Sequence, residues 1–396
     1  MSSTSTLLAH SGDGQAEKKI RTFASVPEVQ PVYMSSVFAF DDTQSVDDIY
    51  EGTEDGYVYA RMKHPNNDAV SAVLAGIDGA EAGLVFSSGM AAIITSIISV
   101  VGAGDHIVSS PVLYGGVRSY LEHELKRFGV NVSFVDFGDV NNVEAAITEQ
   151  TKLIYTETIS NPLMSVPDLT AIAETAHRHN ALFFVDNTFS PVVARPIDYG
   201  ADVVLYSATK YLGGHSDIVA GAAAGRSDII NEISKKLTLY GSLLGAAESW
   251  LLARSLRTLE LRVTKQSQNA LRMAEFLENH PAVKRVYYPG LESSQSHATA
   301  KRLFAKGIFG GMLSAELNGG KEAAAVIDSL GFIKYVPSLA GTSTSVSYPA
   351  RTSHRSYNKE ELDREGITEG LLRFSAGIED TDDILSQLDK TLGMIV

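Results

Sequence analysis

Between about residues 66 and 240, short apolar runs alternate with segments of helical periodicity, and this alternation limits the folds open to the chain. A short apolar stretch covers 81–86. Strands are expected at 106–109, 132–135, 153–156, 182–185, 203–206 and 218–222. Helices are expected at 67–76, 116–128, 143–148, 169–179 and 227–237, and a long apolar helix runs to Val101 after Ser87-Ser88-Gly89-Met90. In the first helix Val70, Val73, Leu74 and Ile77 recur at helical spacing. Strands joined by helical crossovers build a mostly parallel sheet with helices on its faces. Ligands of such sheets gather at the carboxyl ends of the strands.

The texture changes near residue 250. Residues 246–276 read as one long or broken helix. A smaller α+β unit follows, with elements at 283–288, 298–306, 310–317, 322–330 and 371–375 and a last helix from Thr381. The chain of 396 residues is too long for one small core, and it divides into an extended N-terminal arm over 1–62, an α/β domain over 63–256 and an α+β domain over 257–396. Residues 1–15 are small and polar, lack a signal-peptide core and read as a flexible arm. Residues 16–62 show little periodicity. Their aromatic segment at 33–40 and Tyr57-Val58-Tyr59-Ala60-Arg61 are too apolar for a free tail, so they are expected to lie on a surface such as a second subunit.

Composition excludes several classes of function. The net charge of −14 argues against nucleic acid or an anionic membrane as partner. Cysteine is absent, so the chain has no disulfide, thiolate metal site or cysteine nucleophile, which suits a reducing, cytoplasmic setting. No apolar run reaches transmembrane length. His64, His215 and His354 lack metal-ligand spacing, and no metal is expected. Phosphate-loop, dinucleotide-fingerprint and nucleophile-elbow motifs are all missing.

Several stretches carry chemistry. Lys210, in Ser207-Ala208-Thr209-Lys210, follows the apolar run Val203-Val204-Leu205. A partly desolvated amine at a strand end is a candidate Schiff-base lysine. The run Ala181-Leu182-Phe183-Phe184-Val185 ends in Asp186, an acid placed to hold a pyridinium nitrogen charged. That pair is what pyridoxal phosphate chemistry asks of a protein. Small residues at Ser88-Gly89-Met90 before a helix suit a phosphate. Tyr114, followed by Gly115-Gly116, can stack on a flat ring. Asn161 follows a strand and can donate to a phenolic or carboxylate oxygen. Arg373 lies in an apolar strand, where a buried guanidinium needs an anion such as a substrate carboxylate.

In sum, residues from about 20 to 396 resemble the trans-sulfuration (Cys/Met metabolism) family of fold-type I pyridoxal-phosphate enzymes. The likeness is carried most by Asp186-Asn187-Thr188-Phe189 and Ser207-Ala208-Thr209-Lys210-Tyr211. Tyr57 to Arg61, Ser88 to Met90, Leu113-Tyr114-Gly115-Gly116 and Leu372-Arg373 support it. The resemblance implies a mostly parallel seven-stranded sheet between helices, with pyridoxal 5'-phosphate as cofactor. It implies Lys210 as the Schiff-base and proton-shuttling residue, Asp186 on the ring nitrogen and Tyr114 on the ring and in proton transfer. Gly89, Met90, Ser207 and Thr209 would bind the phosphate, with Tyr59 and Arg61 reaching it from a neighbouring subunit. Asn161, Ser338 and Arg373 would hold substrate or cofactor oxygens. A homotetramer of two such dimers is implied.

The implied activity is carbon–sulfur lyase chemistry, a γ-elimination on methionine, homocysteine or cystathionine that releases 2-oxobutanoate, ammonia and a thiol. The alternative is γ-replacement joining an activated homoserine ester to a thiol. Departures from the family pattern mark a subgroup with its own substrate. Gly116 stands where methionine γ-lyases carry cysteine, and Pro337 stands where cystathionine enzymes often carry glutamate. Ser338-Leu339-Ala340-Gly341-Thr342-Ser343-Thr344 and His64-Pro65-Asn66 also differ from the usual runs.

Overall fold

Seven strands form the large sheet: β1 (Ala82–Phe86), β2 (His106–Ser109), β3 (Asn131–Phe134), β4 (Thr151–Glu157), β5 (Leu182–Asp186), β6 (Val203–Tyr206) and β7 (Gly221–Gly225). They lie in the order β1-β7-β6-β5-β4-β2-β3. Strands β2 to β6 are mutually parallel, and β7 runs against both β6 and β1. This computed structural model describes residues 3–11, 27–304, 307–355 and 357–396.

Side chains alternate between two buried faces. Phe183 and Val185 enter one core with helices Leu169–Arg178 and Pro65–Asp78, whereas Phe184 enters the other with helices Gly89–Val100 and Ser227–Tyr240. Burial on both faces explains why these strands read as continuous apolar runs. The strand expected at 218–222 lies three residues later, at β7. Its sequence Gly-Ala-Ala-Ala-Gly has no β-branched residue to mark it. Contact demands its small residues: a Cβ on Gly221 would fall 2.1 Å from the Ser88 carbonyl oxygen, and one on Gly225 would fall 2.3 Å from that of Asp202.

The segment at 246–276 is two helices, Ala246–Leu256 and Leu259–Glu278. A second sheet contains β8 (Val283–Tyr287), β9 (Met312–Leu317), β10 (Lys334–Tyr335), β11 (Ser345–Ser347) and β12 (Leu371–Ser375) in the order β10-β11-β12-β9-β8. Strand β12 lies between β9 and β11, with Arg373 opposite Ser314 and Ser347.

The N-terminal region departs from the extended arm expected over 1–62. Thr4–Ala9 is helical and packs on helices Pro65–Asp78 and Leu259–Glu278, with Leu8 buried. Thr43–Glu51 is a second helix, started by Asp42, whose carboxylate accepts the Ser45 N–H at 2.8 Å. The flexible arm expected at 1–15 is thus ordered over 3–11; residues 1, 2 and 12–26 lie outside the described residues. In His64-Pro65-Asn66, the His64 ring caps the helix Pro65–Asp78 by accepting the Asn66 N–H through Nδ1 at 3.3 Å.

A buried polar chain pins the strand ends. The Tyr206 hydroxyl donates to Asp78 at 2.6 Å. Asn187 donates to the Tyr206 oxygen at 3.0 Å and to the Ala194 carbonyl at 3.0 Å. Its own carbonyl accepts from Thr158 at 2.7 Å and Ser190 at 2.6 Å. The segments leaving β4, β5 and β6 are therefore fastened to one another and to the end of the helix Pro65–Asp78. Burial raises the Asp78 carboxyl from 3.8 to about 7, against the Tyr206 hydrogen bond and nearby Arg195. A folded-state value above the unfolded one means that this group's contribution to stability is lost as pH rises from about 4 to about 7. Asp78→Asn keeps an acceptor for Tyr206 and removes the titration. Its melting temperature relative to the parent should rise steadily between pH 4 and 7; a constant difference across that range contradicts this account.

Candidate active site

Parallel pairing sets the frame of the site. Glu157 at the end of β4 stands beside Asp186 at the end of β5, and Asp186 is in register with Leu205 of β6. The chain leaving β6 carries Ser207, Thr209 and Lys210 to the same edge. Thr188 ties the two strand ends together: its N–H donates to Asp186 at 2.9 Å, and its hydroxyl oxygen accepts the Ser207 N–H at 2.7 Å. The cleft above encloses about 250 Å³, near the lower end for small-ligand sites.

Ten of the residues expected at a site converge on this cleft. They are Gly89, Met90, Tyr114, Asn161, Asp186, Ser207, Thr209, Lys210, Ser338 and Arg373. Tyr59 and Arg61 do not line it. Tyr59 is exposed, and Arg61 lies over the Tyr59 ring and donates to the Thr238 carbonyl at 2.6 Å.

Lys210 Nζ donates to Ser338 Oγ at 3.0 Å. Burial, and then the charge of Arg373, lower the pKa of this amine. Both effects favour the neutral amine, the form that attacks a carbonyl. Asp186 is buried, and burial pushes its carboxyl up in spite of the Thr188 hydrogen bonds. Among the described residues it has no ion-pair partner, so a cationic ring nitrogen above it would relieve a real cost. Arg373 is buried too; burial lowers it to about 10. Its Nη1 donates to the Asn161 side-chain oxygen at 2.7 Å, and its Nε has no partner. A guanidinium held in this way has donors to spare for a carboxylate.

Opposite these groups, the helix Gly89–Val100 starts at Ser88, whose hydroxyl accepts the Ala91 N–H at 3.0 Å. The first N–H groups of a helix lack intrahelical acceptors and attract anions. Gly89 lets Ser207 close in: a Cβ there would sit 2.6 Å from that of Ser207. The cradle therefore fits a phosphate, and it lines one cleft with the lysine and the buried acid. Thr209 is less free than expected, because its hydroxyl already pairs with the Ala220 backbone in both directions, at 3.2 and 3.0 Å.

Tyr114 is half-exposed at the mouth, and a Cβ on Gly116 would lie 2.7 Å from its ring. The polar lining residues Glu157, Thr188 and Ser353 have no individual role in the sequence reading. Glu157 carried a usable signal, since it ends an apolar run just as Asp186 does. Ser353 carried none. Its hydroxyl pairs with Nδ1 of buried His354 at 2.9 Å, and burial lowers that imidazole to about 4.

Fold and cleft together define an α/β enzyme that seats a flat, anionic cofactor on a lysine. The family described as Cys/Met metabolism PLP-dependent enzyme matches residues 5–393. The chain is 41% identical over 374 residues to an L-methionine gamma-lyase of Treponema denticola, covering 92% of each protein. It is also 41% identical over 343 residues to a cystathionine gamma-lyase of Bacillus subtilis, covering 86% of this chain and 90% of that one. The crystal structure of cystathionine gamma-lyase from Lactobacillus plantarum complexed with L-serine superposes with a TM-score of 0.90 at 36% identity, over 99% of both chains. The chain belongs to the Cys/Met metabolism family of pyridoxal-phosphate-dependent enzymes, and pyridoxal phosphate is its cofactor. No described helix is long and apolar enough to cross a membrane.

Proposed function

We propose that this chain is a cytoplasmic carbon–sulfur lyase that performs γ-elimination on a sulfur-containing L-amino acid. Methionine, homocysteine and cystathionine are the candidate substrates, and 2-oxobutanoate, ammonia and a thiol are the products. One observation carries the reading: an amine made less basic, a buried acid and a buried guanidinium face one cleft at the strand ends. Bound there, pyridoxal phosphate supplies an electron sink that acidifies the protons beside the amino-bearing carbon.

The chain's own residues do the rest. Gly89, Met90 and Ser207 would hold the phosphate, with Thr209 joining them only if its hydroxyl leaves the Ala220 carbonyl, and Asp186 would keep a proton on the ring nitrogen. Arg373 grips the substrate α-carboxylate with its fork, and Asn161 and Ser338 orient the remaining oxygens. Lys210 Nζ, steadied by Ser338, would take the α-proton, hand it on to a neighbouring carbon and, neutral again, take a proton from Cβ. Tyr114 covers the ring and delivers a proton to the departing sulfur.

The working unit in this reading is a homotetramer of two dimers. Tyr59 and Arg61 stand away from their own cleft, and they complete the phosphate site of a neighbouring subunit. Exposed apolar side chains support this: Val219, a lining residue, is 61% exposed, and Leu239 and Tyr240, which follow the Arg61 partner Thr238, are 69% and 56% exposed. Mixing Arg61→Ala chains with Lys210→Ala chains should restore part of the activity that each lacks alone; no recovery contradicts the shared site.

Keto acid assays separate elimination from replacement. Without added thiol, 2-oxobutanoate should appear from at least one of methionine, homocysteine and cystathionine. A new thioether formed only when a homoserine ester and a thiol are both present, with little keto acid, makes the enzyme a γ-replacement catalyst and overturns the proposal.

A further inference from the structure

Glu157 holds no role in the reaction as laid out, yet it is buried in the cleft wall beside Asp186. Its Oε1 accepts the Tyr114 N–H at 2.7 Å. Asn161 follows on the same segment beyond the strand end, and Arg373 lines the same cleft. Arg373 in turn donates to Asn161 at 2.7 Å. One carboxyl thus joins the segment carrying Tyr114 to the segment carrying Asn161, and through Asn161 it reaches the guanidinium.

We propose that Glu157 is a positioning residue that fixes Tyr114 against the cofactor face by accepting its backbone N–H, and so ties that segment to the one on which Asn161 holds Arg373. The inference rests on the lyase reading for the tasks of those three residues. The geometry explains why the acid sits here. Tyr114 is half-exposed and opens a helix of five residues with no side-chain cap, so its main chain needs an anchor. The next residues, Gly115 and Gly116, offer none. The Glu157 carboxyl is that anchor, and it stands at the end of a buried strand.

Reach matters here more than charge. Burial and the adjacent Asp186 push the Glu157 carboxyl well up, so the neutral form is favoured, and its carbonyl oxygen still accepts. Glutamine preserves that oxygen at the same reach. Aspartate keeps the acid but falls one methylene short, and alanine removes the acceptor.

Glu157→Gln, Glu157→Asp and Glu157→Ala holoenzymes test the clamp with three readings: substrate KM and kcat, visible circular dichroism of the bound cofactor, and melting temperature. Losing a buried hydrogen bond changes an equilibrium about tenfold or more. Glu157→Asp and Glu157→Ala should raise KM about tenfold and should weaken the visible dichroic band as Tyr114 loosens. Glu157→Gln should restore most of the band and lower KM back to within about threefold of the parent. A lower melting temperature with band and KM unchanged makes Glu157 merely structural and overturns the proposal, as does a glutamine variant no better than alanine. Should alanine fail to fold, the aspartate and glutamine pair decides alone. Failure of the lyase reading would show separately, as absence of keto acid release by the unaltered enzyme.

Discussion

The parallel register of β4, β5 and β6 is the constraint on which the site depends. It places Glu157, Asp186 and the turn to Lys210 side by side at one edge, within a sheet covered on both faces. Because the strands are buried, their ends are rigid, and an acid or amine at such an end is partly stripped of water before any ligand arrives. Desolvation favours neutral lysine and penalises ionised aspartate. Both effects are useful only when a carbonyl and a cationic ring nitrogen occupy the cleft, so the unfavourable burial of each group is relieved by the same ligand.

Within the cleft Arg373 and Lys210 meet Asp186 and Glu157, and burial favours the neutral forms of the amine and of both acids. The second sheet supplies Arg373 from its centre, between β9 and β11, which keeps the guanidinium from swinging toward solvent. Its link to Asn161 crosses from one sheet to the other. The substrate grip therefore depends on how the two sheets are packed, and so does the Lys210 contact with Ser338.

Much of this was legible in the chain. Lys210 and Asp186 each follow a run of apolar residues, so strand ends could be placed before any coordinates existed. Arg373 stood out because an arginine in an apolar strand demands an anion. What stayed hidden has physical reasons. Strand β7 is made of glycine and alanine, chosen for close approach to the helix Gly89–Val100 and not for β propensity. Strands β10 and β11 are two and three residues long, too short to show a period. The Asp78–Tyr206–Asn187 chain joins residues as far apart as 128 positions, and polar partners at that distance leave no local pattern. Glu157 lay in plain view, but only the fold reveals that its carboxyl holds the Tyr114 backbone.

The central claim is that Lys210 carries the cofactor. Borohydride reduction of the yellow holoenzyme followed by peptide mass spectrometry tests it most directly. The account predicts a pyridoxyl adduct on Lys210 and on no other lysine. An adduct on a different lysine, or none on a protein that still turns over substrate, would contradict it.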